Sequence, residues 1–270
     1  MKNDTPIFLP IIKIEEENEN VKTFYIQGNL KAQAGQFVML WLPGIDQKPF
    51  SISDCDDNQF ALTIFKRGPL TDKLFTLNVN DKVGITGPFG TSFSLKLDTN
   101  YFMVAGGYGA APLYFLSKKL QSLNSHVDFF LGARSEKQLL FLDKIKSLSN
   151  IDLHLATDDG SVGEKGFVTE QLAKMLTMTN NKSKILVCTC GPELMEKKVL
   201  DLCNQHEVDA QISIERYMKC GFGVCGQCCV DPIGICMCTN GPVVGKIIAN
   251  QITEFGKYHR DKSGAKIFYK

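Results

Sequence analysis

Short apolar runs separated by turn residues dominate the first third of the chain. The runs are rich in Val, Ile, Phe and Thr. The residues between them are mostly Gly, Asp and Asn, and no helical period persists. We predict strands at residues 7–14, 21–26, 36–41, 60–66 and 83–87. Five or six short strands of this kind predict a small antiparallel β-barrel over residues 1–98.

The pattern changes near residue 101, where apolar strands begin to alternate with amphipathic helices. Residues 101–105 are all apolar, and Leu113, Leu116 and Leu120 then share one face of a helix. The alternation continues with strands predicted at 127–131, 151–156, 184–188 and 211–214, and with helices at 136–147, 168–176 and 192–203. This order predicts an α/β domain with a parallel sheet over residues 99–214.

The last part of the chain follows neither pattern. Residues 215–250 hold most of the cysteines and predict a small loop domain. Residues 251–270 form a charged tail without a clear period, which is either a mobile terminus or an arm that docks on the protein. The predicted fold class is therefore α+β multidomain: an antiparallel β-barrel, an α/β parallel-sheet domain and a C-terminal loop domain.

Composition and charge indicate the class of protein, the partners it can have and its compartment. With 44% hydrophobic and 22% charged residues, the 270-residue chain has the balance of a globular protein, and a net charge of +1 favours neither nucleic acid nor an anionic membrane. The N-terminus lacks the apolar core of a secretory signal. Ten cysteines without such a signal predict reduced thiols or metal ligands in the cytoplasm.

Six of the ten cysteines lie in the loop domain, and four of them have a diagnostic spacing. These four follow C-x4-C-x2-C-x9-C and are Cys220, Cys225, Cys228 and Cys238. Plant-type 2Fe–2S sites use a C-x4-C-x2-C run with one distant cysteine. The glycines between the first three cysteines allow a tight loop around a cluster. The spacing favours an iron–sulfur cluster over two alternatives, a four-cysteine zinc site and a disulfide staple.

The two remaining cysteines of the loop domain leave an alternative for the fourth ligand. Cys229 directly follows a ligand, so we expect its side chain to point elsewhere. Cys236 is a possible substitute for Cys238, but Cys238 opens the turn Cys-Thr-Asn-Gly-Pro, which favours it. We therefore expect Cys238 as the ligand, keep Cys236 as the alternative, and assign no role to Cys229.

Two motifs in the barrel have the residue types that a flavin nucleotide needs. In the motif 48–53, Phe50 is predicted to lie against the flavin ring, Ser51 to hydrogen-bond it and Lys48 to meet the pyrophosphate. The motif 66–71 combines backbone N–H groups, a hydroxyl and two cations, as a diphosphate cradle does. The alternatives are an ordinary strand entered through a proline and an exposed basic turn.

A glycine-rich loop follows the first strand of the predicted parallel sheet. Its glycines are Gly106, Gly107 and Gly109. Glycine at this place lets a dinucleotide pyrophosphate approach the N-terminus of the next helix, where backbone N–H groups favour anions. The spacing differs from G-x-G-x-x-G, and Pro112 interrupts the motif. The loop is therefore a moderate indication of a dinucleotide site.

Two later strand ends complete the predicted nucleotide edge. Asp158 and its neighbour Asp159 follow the third strand, where a carboxylate binds ribose hydroxyls and repels a 2′-phosphate. They favour NAD over NADP, whereas Arg134 favours the opposite. The fourth strand ends in a turn formed by Cys190, Gly191 and Pro192. The functional interpretation places its cysteine near the nicotinamide; the alternatives are a solvated acidic turn and an ordinary helix start.

No side chain is predicted to act as a catalytic acid, base or nucleophile. The sequence has no Walker loop, no H-E-x-x-H motif and no Ser-His-Asp arrangement, and it contains only four histidines. Hydride and electron transfer need none of these, because the cofactors carry the chemistry. The motifs together indicate FAD and a 2Fe–2S cluster as cofactors and NAD as a substrate.

Taken together, these motifs resemble the ferredoxin–NADP reductase superfamily. Within it, C-G-x-G-x-C-x2-C followed by C-x2-G-P-V resembles the electron transfer subunit of dihydroorotate dehydrogenase type B, over about residues 6–250. The family usually has Arg where Lys48 stands, so the bidentate contact to phosphate is in doubt. The resemblance also favours Cys238 over Cys236. It implies FAD contacts at Lys48, Pro49, Phe50, Ser51, Ile64, Phe65, Lys66, Gly68, Leu70 and Thr71.

The resemblance implies a relay in pyrimidine biosynthesis. A catalytic FMN subunit would oxidise dihydroorotate, and electrons would pass through the 2Fe–2S cluster and FAD to NAD⁺, in a heterotetramer of two catalytic and two electron transfer subunits. A sulfhydrogenase gamma subunit or an NAD(P)H–ferredoxin oxidoreductase subunit would share every motif above. An alternative of another class is a zinc-stabilised binding module.

Overall fold

The computed structural model describes residues 3–123 and 125–269, with the backbone alone for residues 3 and 4. Its N-terminal part contains one short helix, α1 (Pro69–Leu74), and six strands: β1 (Asn3–Asn18), β2 (Val21–Gln27), β3 (Phe37–Leu42), β4 (Asp46–Cys55), β5 (Gln59–Phe65) and β6 (Lys82–Phe89). All neighbours pair antiparallel in the order β1-β2-β5-β4-β3-β6, and β6 returns to β1. The predicted closed barrel is confirmed.

The second part alternates strands and helices, as predicted. It comprises β7 (Asn100–Gly106), α2 (Ala110–Gln121), β8 (Val127–Ala133), α3 (Leu142–Lys146), β9 (Ile151–Thr157), β10 (Glu164–Lys165), α4 (Val168–Met178), β11 (Ile185–Cys190), α5 (Glu193–Gln205) and β12 (Asp209–Ser213). These strands are parallel in the order β10-β9-β8-β7-β11-β12. The central strands are buried on both faces, which explains their continuous apolar runs.

One predicted helix is wrong. The sequence predicts a single helix over residues 136–147, but the structure has a 3₁₀ turn at Glu136–Gln138 and a separate helix, α3. Phe141 adopts a left-handed φ of 61° between them. This break buries both Leu140 and Phe141 in the core beside the sheet. Burial of two adjacent apolar side chains therefore overrides the helical period.

The C-terminal part is built into the sheet. Its elements are β13 (Cys229–Val230), β14 (Ile235–Cys236), α6 (Met237–Asn240), β15 (Val243–Gly245), α7 (Lys246–Gln251), β16 (Tyr258–Arg260) and β17 (Lys266–Phe268). Strand β15 pairs antiparallel with β12 and extends the parallel sheet by one edge strand. The segment that carries the predicted cluster is thus tied to the parallel sheet by backbone hydrogen bonds.

The charged tail forms a hairpin that docks on the protein. Strands β16 and β17 pair, and the Tyr269 hydroxyl donates a hydrogen bond of 2.8 Å to Glu193 at the start of α5. The Gln227 side chain donates to the Asp261 carbonyl at 3.0 Å. This bond joins the hairpin to the loop that carries Cys220, Cys225 and Cys228, called the cysteine loop below. These contacts support the docking-arm alternative and contradict a mobile terminus.

Barrel and sheet share one continuous apolar core on the α2 side of the sheet. Their junction also carries charge pairs, since Lys144 of α3 lies 2.9 Å from Glu15 and 2.7 Å from Glu17 of β1. Burial raises the pKa of Glu15, but hydrogen bonds from Lys13, Lys144 and Tyr25 outweigh it and lower that pKa to about 2. Within the described ranges, no helix is long and apolar enough to span a membrane.

Candidate functional site

A cavity of about 540 Å³ lies between the barrel and the carboxyl edge of the sheet. Aromatic and apolar side chains form much of its lining, and cations stand at its barrel side. Among the residues predicted to contact FAD, those in the lining are Lys48, Pro49, Phe50, Ser51, Phe65, Gly68, Leu70 and Thr71. An apolar slot with a few convergent polar groups is the usual form of a cofactor site.

Two predicted FAD residues lie outside this lining. Ile64 is 1% exposed and belongs to the barrel core, whereas the Lys66 ammonium lies over the ring of Phe75, 5.8 Å from its centroid. Successive side chains of a strand point to opposite faces, so Phe65 faces the cavity while its neighbours do not. The same period brings in Thr63, which the sequence prediction missed.

The end of β5 and the start of α1 form the predicted phosphate cradle. The backbone N–H of Arg67 donates to the Thr71 hydroxyl at 2.6 Å, and that hydroxyl donates to the Gly68 carbonyl at 3.0 Å. Thr71 therefore holds the turn closed. Arg67 lines the cavity and is the second cation of the motif, although it was not selected as a contact.

Lys48 joins the barrel to the segment before the cysteine loop. Its ammonium lies 2.9 Å from the Asp46 carboxylate and donates to the Tyr217 hydroxyl at 3.1 Å. Burial lowers the pKa of Lys48, but these two partners outweigh it and raise that pKa above its ordinary value. The lysine is therefore a stable positive charge at the cavity wall. Tyr217 and Met218, which also line the cavity, were not identified from sequence.

A second cavity of about 760 Å³ adjoins the first. Phe65 and Tyr108 line both cavities, so their rings stand at the boundary. Its sheet side carries Arg134, Ser135 and Lys137, which follow β8. Two cations and a hydroxyl at the carboxyl edge of a parallel sheet suit a phosphorylated ligand.

The glycine loop after β7 and the turn after β11 touch through their backbones. A β-carbon placed on Gly109 would come within 2.0 Å of the Cys190 carbonyl oxygen, so only glycine fits there. Gly106 similarly packs on Pro192, and Gly191 on Gly106. These three glycines therefore serve loop packing. Gly107 lines the second cavity, and Cys190 lines the first.

Asp158 lies at the sheet edge but outside both linings. Its backbone N–H donates to the Ala133 carbonyl at 3.1 Å, which places it beside the end of β8 and the cations of the second cavity. The Asp158 side chain is exposed. The neighbouring Asp159 carboxylate accepts the Ser161 backbone N–H at 2.9 Å and thus closes its own turn.

Two acidic groups, the buried Cys190 and the exposed Glu215, line the first cavity near Tyr108. Burial raises the pKa of the Cys190 thiol well above its ordinary value, so it is a neutral thiol and no nucleophile. Desolvation raises the pKa of Glu215, although its side chain is exposed, and Glu215 accepts a 3.3 Å hydrogen bond from the Tyr108 hydroxyl. Glu215 was not predicted, because its place at the cavity depends on contacts between distant parts of the chain.

The four predicted ligand cysteines form two neighbouring pairs: Cys220 interacts with Cys225, and Cys238 with Cys228. The Cys238 backbone N–H donates to the Cys228 sulfur at 3.4 Å. Burial raises the pKa of Cys220, but backbone N–H groups of Cys225, Phe222 and Val224 outweigh it and lower that pKa to about 6. Backbone donors aimed at a thiolate are what a metal–sulfur cluster requires around its sulfurs.

The cysteine loop packs on the barrel through a glycine. Gly221 has a φ of +85°, and a β-carbon on it would lie 2.7 Å from the Met39 side chain of β3. Phe222 in turn contacts Phe89 of β6 with ring centroids 6.2 Å apart. Cys225 is exposed at the tip, whereas Cys228 and Cys238 are buried. One side of the loop is therefore open, and the other side packs on the barrel strands beside the first cavity.

A buried ionic network anchors the segment between the cavity and the cysteines. The Arg216 guanidinium lies 2.6 Å from Glu193 and 2.9 Å from Glu254, and all three side chains are at most 8% exposed. The second oxygen of Glu254 accepts the Asp231 backbone N–H at 3.4 Å. Asp231 follows β13 in the hairpin of β13 and β14, which we call the cysteine hairpin. Arg216 thus connects the start of α5 to the cysteine hairpin.

Comparison with known protein families gives two matches. Residues 103–201 match the family described as oxidoreductase NAD-binding domain. Residues 215–246 match the iron–sulfur cluster binding domain of dihydroorotate dehydrogenase B. The two matches cover most of the sheet, including the sheet side of the second cavity, and the four cysteines.

Full-length relatives carry one description. The chain is 42% identical to the probable dihydroorotate dehydrogenase B (NAD(+)), electron transfer subunit, of Methanocaldococcus jannaschii, over 98% of this chain and 100% of the relative. It is 41% identical to the protein so described in Pyrococcus horikoshii, over 92% and 93%.

Solved structures share the architecture. The structure of an NADH-dependent reduced ferredoxin-NADP oxidoreductase superposes with a TM-score of 0.80 at 26% identity, covering 92% of this chain and 89% of that one. The FAD/NAD binding domain of a Vibrio cholerae nitric oxide dioxygenase gives a TM-score of 0.68 at 17% identity, covering 77% and 98%.

Proposed function

Because the chain belongs to the family of dihydroorotate dehydrogenase B electron transfer subunits, we propose that it passes electrons between NAD and a catalytic dihydroorotate dehydrogenase subunit. The observation that carries this proposal is the position of the four cysteines on the barrel that also walls the flavin cavity. The second cavity as the NAD site, the first cavity as the flavin site and the four cysteines would lie next to one another, as an electron relay requires.

The residues present fit both cofactors. The first cavity offers the Phe50 and Phe65 rings and cations for a flavin nucleotide, and the cysteine loop offers four sulfurs with backbone donors. When bound, FAD exchanges hydride for single electrons and the 2Fe–2S cluster carries single electrons. Lys48 and Arg67 would neutralise the diphosphate of FAD, and the Thr71 turn would hold the cradle in shape.

The second cavity is the proposed NAD site. Arg134 and Lys137 supply positive charge for the phosphates, and Asp158 stands where a carboxylate would select the unphosphorylated ribose. Cys190 and Glu215 line the first cavity with Tyr108, whose ring also lines the second, so the nicotinamide would lie near these groups. Neither group acts as a base, since the reaction moves a hydride.

The open side of the cysteine loop is the proposed contact for the catalytic subunit. Cys225 is exposed there, and so are the apolar side chains of Phe222 and Val224, at 48% and 77%. We propose an FMN-containing partner and an assembly of two catalytic and two electron transfer subunits. The ferredoxin-linked alternative shares the fold, but the full-length relatives and the matched cluster domain favour the dihydroorotate-linked function.

Mixing the purified chain with the catalytic subunit tests this function. We expect dihydroorotate to reduce NAD⁺ only when both proteins are present, because this chain carries the proposed NAD site and its partner would supply the dihydroorotate site. The absorbance of NADH reports the rate, and size-exclusion chromatography with light scattering reports the stoichiometry. Reduction of ferredoxin by NADH without any dihydroorotate-dependent reaction would instead support the ferredoxin-linked alternative.

Replacing Asp158 with serine should weaken the preference for NADH. The substitution removes a negative charge that would repel the 2′-phosphate of NADPH, so we expect the KM for NADPH to fall about tenfold at low ionic strength. The kcat with NADH should change little. Asp159→Ser is the matched control, because that carboxylate is engaged by Ser161. An unchanged KM for NADPH in Asp158→Ser would place the selectivity elsewhere.

Serine substitutions at Cys236 and Cys238 distinguish the two candidates for the fourth ligand. Cys238→Ser should lose the cluster, because a hydroxyl is a poor ligand where iron needs a thiolate. Cys236→Ser should retain it, since the Cys236 sulfur faces Cys229, its register partner across the hairpin. Visible absorption and iron content, measured without air and under dithiothreitol, check both. Loss of the cluster in Cys236→Ser alone would reverse the assignment.

A further inference from the structure

Two cysteines that the proposed cluster does not use face each other in a short hairpin. Cys229 on β13 and Cys236 on β14 are register partners, with Cα atoms 4.0 Å apart, and their sulfurs form a disulfide. Both residues are partly exposed. Small thiols and disulfides in solution therefore have access to the pair.

Protein contacts hold this hairpin in register. Val230 is fully buried, and its carbonyl accepts the Gly234 N–H at 2.9 Å. At the tip, the Asp231 carbonyl accepts the Thr253 N–H at 3.0 Å, and the Asp231 carboxylate lies 2.6 Å from the Arg260 guanidinium. The two sulfurs are thus brought together by the fold itself.

The pair lies next to two of the proposed ligands. Cys229 follows Cys228 directly, and Cys236 precedes Cys238 by one intervening residue, Met237. The Met237 backbone N–H donates to the Cys228 carbonyl at 3.1 Å, and the Cys238 N–H donates to the Cys228 sulfur. Residues 228–230 and 235–238 each carry one proposed ligand and are the two arms of this hairpin. A crosslink between Cys229 and Cys236 therefore joins the arms next to both ligands.

We propose that Cys229 and Cys236 form a reversible disulfide that clips these arms together under oxidising conditions. The inference rests on the proposed cluster. A closed disulfide keeps Cys228 and Cys238 apposed when the cluster is under oxidative attack. It also removes the two free thiols nearest to the ligands, which would otherwise compete to form disulfides with them.

The chemistry needs an oxidant of the low-molecular-weight disulfide class, such as glutathione disulfide. One cysteine sulfur of the pair attacks the glutathione disulfide and releases one glutathione thiol. The second cysteine then attacks the mixed disulfide and releases the other glutathione thiol, so two protein thiols become one disulfide and the oxidant becomes two thiols. An excess of a reducing dithiol reverses both steps.

Thiol mapping of the cluster-loaded protein tests the pair directly. After glutathione disulfide and alkylation, we expect peptide mass spectrometry to find Cys229 joined to Cys236, with the visible absorption of the cluster retained. After dithiothreitol, both cysteines should be alkylated. If both are alkylated after the oxidant, or if the crosslink includes a ligand cysteine, the proposal is wrong.

The lifetime of the cluster tests what the clip does. In air with glutathione disulfide, the half-life of the cluster absorption should shorten on the order of tenfold in Cys229→Ser and in Cys236→Ser, a size consistent with loss of a short-loop crosslink. The double variant should be no worse than either single one, because the pair acts as a unit. Under dithiothreitol all variants should match the wild type.

Cys55→Ala controls for loss of a thiol elsewhere, since Cys55 lies in the barrel core. Equal half-lives for wild type and both serine variants in the oxidant would overturn the clip. A wild-type protein without cluster absorption would instead refute the proposed function, and thiol mapping would still report on the pair. The two failures are therefore distinguishable.

Discussion

Cys225→Ser should abolish electron transfer to the catalytic subunit while NADH still reduces the flavin. Cys225 is exposed at the tip of the loop and lines neither cavity, so the fold and the flavin site do not depend on its side chain. Serine removes one thiolate ligand of the proposed cluster. We expect dihydroorotate-dependent NAD⁺ reduction to fall by at least about 100-fold, since loss of an outer-shell partner alone costs 10–100-fold.

Two measurements separate the two halves of the relay. Stopped-flow bleaching of the flavin by NADH should keep its wild-type rate in Cys225→Ser, and the coupled assay with the catalytic subunit should show almost no turnover. Cys55→Ala should preserve both rates. If Cys225→Ser loses flavin reduction as well, the cysteine loop also maintains the flavin site; if it keeps both activities, Cys225 is not a ligand.

Arg216→Met should cause the largest loss of stability of any single charge removal considered in this chain. The Arg216 side chain is 2% exposed and lies between Glu193 and Glu254, which are 8% and 0% exposed. Without the guanidinium, two buried carboxylates have no counter-charge. Breaking a buried pair in this way costs about 3–5 kcal/mol of unfolding free energy.

Urea unfolding measures this loss, and Arg260→Met is the matched control. Arg260 is also 2.6 Å from its partner, Asp231, but the two side chains are 29% and 55% exposed, so the control should lose less than about 1 kcal/mol. Equal, small losses in both variants would show that the network is not structurally important.

Local patterns in the sequence were sufficient for the barrel, the parallel sheet and the four cysteines. The strands of the sheet are continuous apolar runs because they are buried on both faces, and the cysteine spacing is set by the geometry of one loop. Each of these features depends on residues that are close together in the sequence. The predicted flavin contacts are local in the same way, and most of them line the first cavity; Ile64 and Lys66 do not, because strand alternation turns them away from it.

What the sequence did not predict depends on contacts between distant residues. The burial of Arg216 requires Glu193 and Glu254, which lie 23 and 38 positions away along the chain. The docking of the tail requires the hydrogen bond from Tyr269 to Glu193, over 76 positions. The break in the predicted helix at 136–147 likewise depends on the sheet that covers Leu140 and Phe141.

The central claim is that this chain joins NAD to a flavin and a 2Fe–2S cluster. Electron paramagnetic resonance during an anaerobic titration of the purified protein with NADH tests it most directly. We expect the signal of a reduced two-iron cluster to grow as NADH is added and to be absent from Cys225→Ser. A protein that binds zinc at these cysteines, or that shows no cluster signal at any NADH concentration, would contradict it.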